Sequence, residues 1–173
     1  IQFWVGLPQA DAEIEPSFSH HALEALPEWS TDDGRVHGRL VAGAAFGQQS
    51  PVPVHSRLFC VDANLAADAE LQVPVDYPER AIQVVDGEIE VDGAVFSMHQ
   101  MCVLQAGALA RIRAREPARI VVFGGDPLDG PRFIWWNFVA SSRERIDRAG
   151  EDWKRGRFEE VPGETEFIPL PER

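Results

Sequence analysis

The sequence predicts a mainly β domain with a single helix near its C-terminal end. The 13 prolines and 14 glycines among 173 residues interrupt the chain often, which favours short strands over long helices. Apolar runs rich in β-forming residues recur at the regular spacing typical of an antiparallel sandwich or barrel. Only residues 141–155 repeat their apolar positions with helical spacing. Since 45% of the residues are hydrophobic, the chain can bury one sizeable core.

The strand signals begin at Gly34 and continue to the end of the predicted barrel. The clearest segment is RAIQVVDGEIEVDGAVF, in which residues 82–85 and Glu88–Val91 flank Asp86-Gly87. A second Asp-Gly pair then precedes residues 94–96. Because Asp-Gly favours two-residue hairpin turns, this segment predicts a three-stranded meander. The other predicted strands are GRVHGRLVAGAAFG, SRLFCVDANL, AELQVPV, MCVLQAG, ALARIRA and ARIVVFGG.

The segment SSRERIDRAGEDWKRG predicts one amphipathic helix over residues 141–155. Ser141 stands three residues before Glu144, an arrangement typical of a reciprocal N-terminal cap. The tail VPGETEFIPLPER carries three prolines and predicts an extended coil. The aromatic run FIWWNFV just before the helix predicts packing of the helix on a sheet, with a ligand wall or partner surface as the alternative. The apolar residues at helical spacing and the glycine at the expected end are Ile146, Ala149, Trp153 and Gly156.

These signals predict three regions: an extended arm with an interdomain strand (1–33), a β-barrel (34–140), and a helix with an extended tail packing on the barrel (141–173). The first 34 residues hold seven acidic residues and no Lys or Arg, which favours a solvated arm over an acidic docking segment. The opening IQFWVGLP alternates like a strand and does not begin with Met. We therefore expect that the natural protein extends further toward its N-terminus.

The overall composition excludes several functions. The net charge of −12 disfavours a surface for phosphate backbones, so we expect no direct nucleic-acid binding. No run approaches the ~20 apolar residues of a membrane span, and we expect a cytoplasmic protein with no membrane partner. Cys60 and Cys102 are far apart in the sequence and predict buried free thiols in a reducing compartment.

Two charged stripes alternate with apolar residues. Arg111, Arg113 and Arg115 form a basic stripe, and an acidic stripe of Glu88, Glu90 and Asp92 has the same period. An anion-binding patch is one interpretation. Solvent-facing strand surfaces with complementary charges are the favoured one, because alternate strand positions normally face water.

The stretch PVDYPERAIQVVDGEIEVDG resembles the first metal-binding motif of the cupins, G(X)5HXH(X)3,4E(X)6G. This resemblance implies a small antiparallel β-barrel of jelly-roll type. With the last glycine of the motif on Gly87, Arg80 takes the place of the glutamate. The two histidine positions fall on Pro74 and Asp76, or on Val73 and Val75 with the longer spacer.

The second cupin motif, G(X)5PXG(X)2H(X)3N, resembles HQMCVLQAGALARIRA when its PXG glycine is placed on Gly107. Gln105 then takes the place of the proline and Ala110 that of the histidine. Strand parity places Ala110, Ile112 and Ala114 on one face of the strand. A site of three histidines and one carboxylate would keep none of its imidazoles, so we predict a barrel with no metal.

Other residues are weaker candidates for a site. Asp76 and Arg80 form a hypothetical ion pair at the barrel mouth, and two exposed loop residues are the favoured alternative. The emptied barrel is a candidate pocket lined by Ile82, Val84, Ala110 and Ile112. We expect surface or hydrogen-bonded roles, and no metal, for the five histidines, His20, His21, His37, His55 and His99.

Larger segments resemble the pirin family of bicupin proteins. The resemblance covers nearly the whole chain and is strongest from Gly124 onward. It rests on IQFWVGLP, VVDGEIEVDG, GGDPLDGPRFIWWNFVASSRERIDRAGEDWKRGRF and EFIPLP. It implies the metal-free C-terminal cupin of a protein whose N-terminal cupin holds iron or a related metal. Because this chain does not include an N-terminal cupin, no metal-binding or catalytic residue of the family is transferred to it.

The resemblance leaves three functional hypotheses. The first is a structural and interaction module whose partner is the N-terminal cupin of the parent or another protein, with Phe3 and Trp4 as candidates for the interdomain surface. The second is part of a quercetinase-type, metal-dependent dioxygenase whose chemistry lies in the N-terminal cupin. The third is a small-molecule-binding barrel.

Overall fold

The computed structural model describes residues 1–159, 162–163 and 165–172. The chain divides into two compact units. Pro16–Pro127 form a β-barrel unit, and Ile1–Glu15 combine with the chain from Leu128 onward in a second unit. This division differs from the predicted one, in which residues 1–33 formed a separate arm and the barrel extended to residue 140.

Thirteen strands, two short 3-10 helices and one α-helix are described. The 3-10 helices are Gln9–Asp11 and Leu23–Ala25. In chain order the strands are β1 (Glu28–Ser30), β2 (Val36–Ala45), β3 (Gln48–Gln49), β4 (Leu58–Leu65), β5 (Glu70–Gln72), β6 (Glu79–Asp86), β7 (Glu88–Val91), β8 (Ala94–Ser97), β9 (Met101–Leu104), β10 (Arg111–Ala114), β11 (Ala118–Gly125), β12 (Phe133–Trp135) and β13 (Phe138–Ala140). The helix α1 is Arg143–Lys154.

Two antiparallel sheets form the barrel unit. One has the order β1-β2-β4-β11-β6-β9, with β3 paired to β2, and the other has the order β5-β10-β7-β8. The chain crosses between the sheets at almost every connection from β4 to β11, as in a jelly roll. Alternate residues of both sheets face one hydrophobic core, in which the largest fully buried side chains include Phe59, Leu40, Ile82, Ile89 and Ile112. The predicted mainly β fold is confirmed.

Only one of the two Asp-Gly pairs makes a hairpin. Asp92-Gly93 joins β7 to β8, which pair directly, and both residues have the positive φ angles that a type I′ turn requires (49° and 86°). Asp86-Gly87 instead carries the chain from β6 in one sheet to β7 in the other, so the predicted meander is wrong at this point. Gly87 is needed there because it has a φ of 77° and a Cβ would lie 2.4 Å from the Pro117 carbonyl oxygen.

Strand β1 brings part of the predicted N-terminal arm into the barrel. Trp29 stands opposite Gly38 of β2, and its indole stacks on Phe46 with 4.0 Å between the ring centroids. A Cβ on Gly38 would lie 2.3 Å from the indole, so the missing side chain provides the space that the ring occupies. The opening segment, residues 1–8, belongs to no strand ladder of the described residues, and the interdomain strand stays a prediction.

The second unit is built on the hairpin of β12 and β13 and on α1. Its aromatic residues pack together, and Trp153 of α1 lies 5.0 Å from Trp136 and 5.6 Å from Phe158 between ring centroids. The aromatic run thus packs the helix on a hairpin of its own unit. The N-cap of the helix is Ser142, one residue later than the predicted cap, since Ser142 Oγ accepts a hydrogen bond from the Arg145 amide.

The predicted reciprocal cap between Ser141 and Glu144 is therefore wrong, because the third helical position after Ser142 is an arginine. The predicted end at Gly156 agrees with its φ of 62°. Part of the predicted coil in the tail lies outside the described residues. No helix in the described ranges is both long and apolar enough to cross a bilayer.

Candidate functional site

Arg80 is 2% exposed, and its guanidinium lies between the segment before β6 and the loop between β9 and β10, a region that we call the mouth of the barrel. Its Nη1 donates to the carbonyl oxygen of Pro74 at 3.1 Å. Its Nη2 donates to the carbonyl oxygens of Gln105 at 3.0 Å and Ala108 at 2.8 Å. A single guanidinium therefore joins the segment before β6 to the loop between β9 and β10. We call these four residues the Arg80 clamp.

Neighbouring strands position the arginine. Arg80 is the second residue of β6, opposite Leu104 of β9 and Gly124 of β11. A Cβ on Gly124 would lie 2.9 Å from Arg80 Cγ, 2.9 Å from the Phe59 ring and 2.2 Å from the Glu79 carbonyl oxygen. The glycine therefore provides the space through which the aliphatic stem of Arg80 reaches the mouth.

The other ligand positions of the first cupin motif lie in different environments. Val73 is fully buried in the core and Val75 is 44% exposed. Asp76 is exposed, and its backbone carbonyl oxygen accepts a hydrogen bond from Arg57 Nη2 at 2.7 Å. Within the described part of the chain, Arg80 forms no ion pair with Asp76, because its guanidinium binds backbone carbonyls. The hypothetical ion pair is therefore wrong, and so is the alternative that both residues are exposed.

The position of the second-motif histidine lies next to the clamp. The Ala110 carbonyl oxygen accepts a hydrogen bond from the Val73 amide at 3.0 Å, which brings the two motifs together. Ala110, Ile112 and Ala114 are at most 1% exposed, while Arg111 and Arg113 point outward, as strand parity predicts. The residues suggested to line an emptied pocket, Ile82, Val84, Ala110 and Ile112, all belong to the packed hydrophobic core.

These residues do not fit the metal that the cupin fold implies. The glutamate position holds a buried cation, the second-motif histidine position holds a methyl group, and neither spacer supplies an imidazole. A divalent transition metal needs nitrogen, sulfur or carboxylate ligands, and it would be repelled by the guanidinium. Elsewhere in the described ranges, no three His, Cys, Asp or Glu side chains are grouped to hold a metal ion.

The two cysteines are free, as predicted, but half-buried, whereas buried thiols were predicted. Burial raises the pKa of Cys60 to about 11, with a smaller contribution from the negative charge of Asp62. Burial, followed by the charge of Asp92, also raises the pKa of Cys102. Both thiols are therefore protonated near neutral pH, which argues against a nucleophilic role.

The basic stripe is neutralised by acidic side chains. Arg115 pairs with Glu88 at 3.1 Å across β10 and β7. The other two arginines pair with residues at β5, Arg111 with Glu70 at 3.2 Å and Arg113 with Asp68 at 2.5 Å. Complementary solvent-facing strands therefore describe this surface better than an anion-binding patch.

Five exposed apolar side chains on β9 and in the segments around it were not predicted from the sequence. β9 is the last strand of its sheet, and residues 94–110 contain no Asp, Glu, Lys or Arg. MCVLQAG was predicted as a short strand, and its two outward residues, Met101 and Val103, follow from strand parity. We call the exposed apolar residues of this region the β9 edge: Val95 (44% exposed), Met98 (51%), Met101 (51%), Val103 (72%) and Leu109 (71%).

The second unit contains a small cavity of about 210 Å³ beside α1. Its apolar lining includes Ile146, Ala149 and Phe138. The single Nε–H of Arg145 is shared between the two carboxylate oxygens of Glu13, at 2.9 and 3.1 Å. In the same unit, the suggested interdomain residues Phe3 and Trp4 are 43% and 52% exposed.

Comparison with known proteins identifies the family. The family described as the pirin C-terminal cupin domain matches residues 60–159. A pirin-like protein of Caulobacter vibrioides is 45% identical over 175 residues, which cover 99% of this chain and 59% of that protein. Pirin of Rattus norvegicus is 25% identical over 164 residues, covering 91% of this chain and 56% of that protein.

A similar structure is the crystal structure of quercetin 2,3-dioxygenase from Acinetobacter baumannii. It matches with a TM-score of 0.88 and 28% identity, covering 98% of this chain and 57% of that chain. This match confirms the cupin-type jelly roll. The chain spans little more than half the length of these relatives, and it belongs to the pirin family, whose C-terminal cupin domain it contains.

Proposed function

We propose that this chain is a metal-free, non-catalytic cupin that serves as a structural and interaction module of a pirin-family protein. The observation that carries the proposal is the Arg80 clamp. Where a metal cupin presents a carboxylate and imidazoles, this chain presents a buried guanidinium bound to three backbone carbonyls, together with Ala110. Such a site supplies neither a Lewis acid nor a nucleophile.

The β9 edge supports the interaction part of the proposal. Edge strands of soluble proteins are normally protected by charged residues or proline, and β9 has neither. Both methionines of the chain lie in this surface, and methionine adapts well to the shape of a partner. We propose that its occupant is the other cupin barrel of the same polypeptide, because relatives are almost twice as long as this chain. Phe3 and Trp4 remain a second candidate surface.

Two measurements test the two parts of the proposal. Elemental analysis after equilibration with ferrous iron and dialysis should find no stoichiometric metal in this chain; one metal per chain would overturn the metal-free assignment. Isothermal titration with the Caulobacter relative's remaining segment, expressed separately, should detect binding. Replacing Met101 and Val103 by Lys should weaken that binding about tenfold or more, since charge on a buried apolar contact must be desolvated.

The matched control is Ile134→Lys, which places one lysine charge at an exposed isoleucine of the second unit and is compared with Met101→Lys and Val103→Lys as single variants. This control should bind like the unaltered chain. If the Met101/Val103 double variant binds equally well, or if no binding occurs with the unaltered chain, the proposed role of the β9 edge is wrong.

The alternative function is a part of a quercetinase-type dioxygenase whose metal site lies in another cupin. The similarity to the Acinetobacter quercetin 2,3-dioxygenase favours this alternative, and the metal-free proposal is compatible with it. A small-molecule-binding barrel is less favoured, since the side chains suggested to line its pocket fill the core.

A further inference from the structure

We propose that the guanidinium of Arg80 takes the structural place of the metal ion in this barrel, as a cation tethered to the chain. The inference rests on the metal-free function proposed above. The inference goes further by naming the Arg80 guanidinium as the group that holds the two cupin-motif segments together.

The positive charge of Arg80 belongs to a residue at one of the ligand positions of the cupin motif. Arg80 aligns with the cupin glutamate, and its three acceptors come from both ligand motifs. Pro74 lies in the first motif, and Gln105 and Ala108 lie in the loop that leads to the histidine position of the second. A metal bound by side chains from both motifs would join the same two segments of the chain.

The charge of Arg80 equals the net charge of a metal ion together with its cupin ligands. Three neutral imidazoles, one carboxylate and a divalent metal carry a net charge of +1. Arg80 alone also carries a charge of +1. In the longer-spacer alignment the three histidine positions hold the uncharged residues Val73, Val75 and Ala110, so Arg80 alone preserves the net charge of the ligand positions.

The guanidinium group suits this role because of the number and the strength of its hydrogen bonds. A guanidinium presents several N–H donors in a rigid plane, which allows one side chain to reach carbonyls in separate segments. Hydrogen bonds with a charged donor are roughly twice as strong as neutral ones. The clamp is not complete, since Nε is buried and has no hydrogen-bond partner among the described residues. Removing the side chain would leave three carbonyls near the mouth without their donors.

The test compares Arg80→Met, Arg80→Gln and Arg80→Lys with the unaltered chain. Arg111→Met is the matched control, because Arg111 is an exposed arginine whose ion pair with Glu70 faces solvent. For each protein, urea unfolding measures the equilibrium constant. Hydrogen exchange detected by mass spectrometry follows peptides that cover residues 73–80 and 102–110, with Arg143–Lys154 as a reference peptide.

We expect Arg80→Met to raise the unfolding constant by roughly a hundredfold or more, because several buried charge-assisted hydrogen bonds are lost. Exchange should accelerate in both mouth peptides, and the reference peptide should be unaffected. Arg80→Lys should lie closer to the unaltered chain than Arg80→Gln, since only lysine keeps the charge. Arg111→Met should change neither quantity appreciably.

Two results would overturn the inference. In the first, Arg80→Met unfolds no more readily than Arg111→Met. In the second, Arg80→Gln protects the mouth peptides from hydrogen exchange at least as well as Arg80→Lys does. This second comparison also decides the inference if Arg80→Met does not fold. Neither result affects the proposed function, whose metal-free part fails only if the unaltered chain binds a stoichiometric metal ion.

Discussion

The mouth of the barrel and the outward face of the four-stranded sheet hold arginines in opposite ways. At the mouth, Arg80 is buried and its donors bind backbone carbonyls. On the outward face, Arg111, Arg113 and Arg115 are about half-exposed or more and pair with carboxylates. A buried donor set holds separate chain segments together, whereas an exposed ion pair is screened by water and salt. The same residue type thus has a structural role in one region and a solubilising role in the other.

The largest change in stability is expected on the inward face of β10. Ile112 points inward there, between two outward arginines. Ile112→Ala should reduce the free energy of unfolding by about 2–5 kcal/mol, because it removes buried methyl groups and leaves a cavity. Urea unfolding measures the change. The control is Ile134→Ala, at an isoleucine that is 67% exposed. Equal losses in both variants would contradict the assignment of the inward face.

A smaller effect is expected where Gly124 makes room for Arg80. Gly124→Ala places a methyl group 2.9 Å from Arg80 Cγ and 2.2 Å from a backbone oxygen, so it should cost about 1–3 kcal/mol of stability. The control is Gly6→Ala, whose new methyl group would meet only ordinary contacts, the nearest at 3.4 Å. Thermal or urea unfolding gives both values, and a Gly124→Ala variant as stable as Gly6→Ala would mean that the mouth is loosely packed.

The smallest effect is expected on the outward face. Arg113→Ala should change stability by only about 0.2–1 kcal/mol, because its pair with Asp68 is solvent-exposed. A double-mutant cycle with Asp68→Asn, measured at low salt and at high salt, isolates the pair energy. That energy should fall as salt is added; a large, salt-independent value would place this pair in the same class as the Arg80 clamp.

The sequence predicted local features well where the deciding interactions are themselves local. Strand parity around Ala110 predicted its buried face, and the second Asp-Gly pair predicted a hairpin. The first pair failed because β7 finds its hydrogen-bonding partners in the other sheet. The helix was predicted within two residues at its start, but its cap shifted from Ser141 to Ser142. The cap is at Ser142 because its hydroxyl oxygen lies within hydrogen-bonding distance of the Arg145 amide, which residue spacing does not reveal.

For the candidate site, the sequence by itself determined which ligands are missing, since no arrangement of the chain creates an imidazole at Ala110 or Pro74. It could not determine what Arg80 does, because the three carbonyl acceptors lie 6, 25 and 28 residues away. Only the tertiary structure brings these backbone oxygens around one guanidinium. It also decided that β9 lies at the end of its sheet, because strand order depends on long-range pairing. The residue types at the ligand positions therefore argue against metal binding there, while long-range packing determines that the Arg80 guanidinium joins the two segments instead.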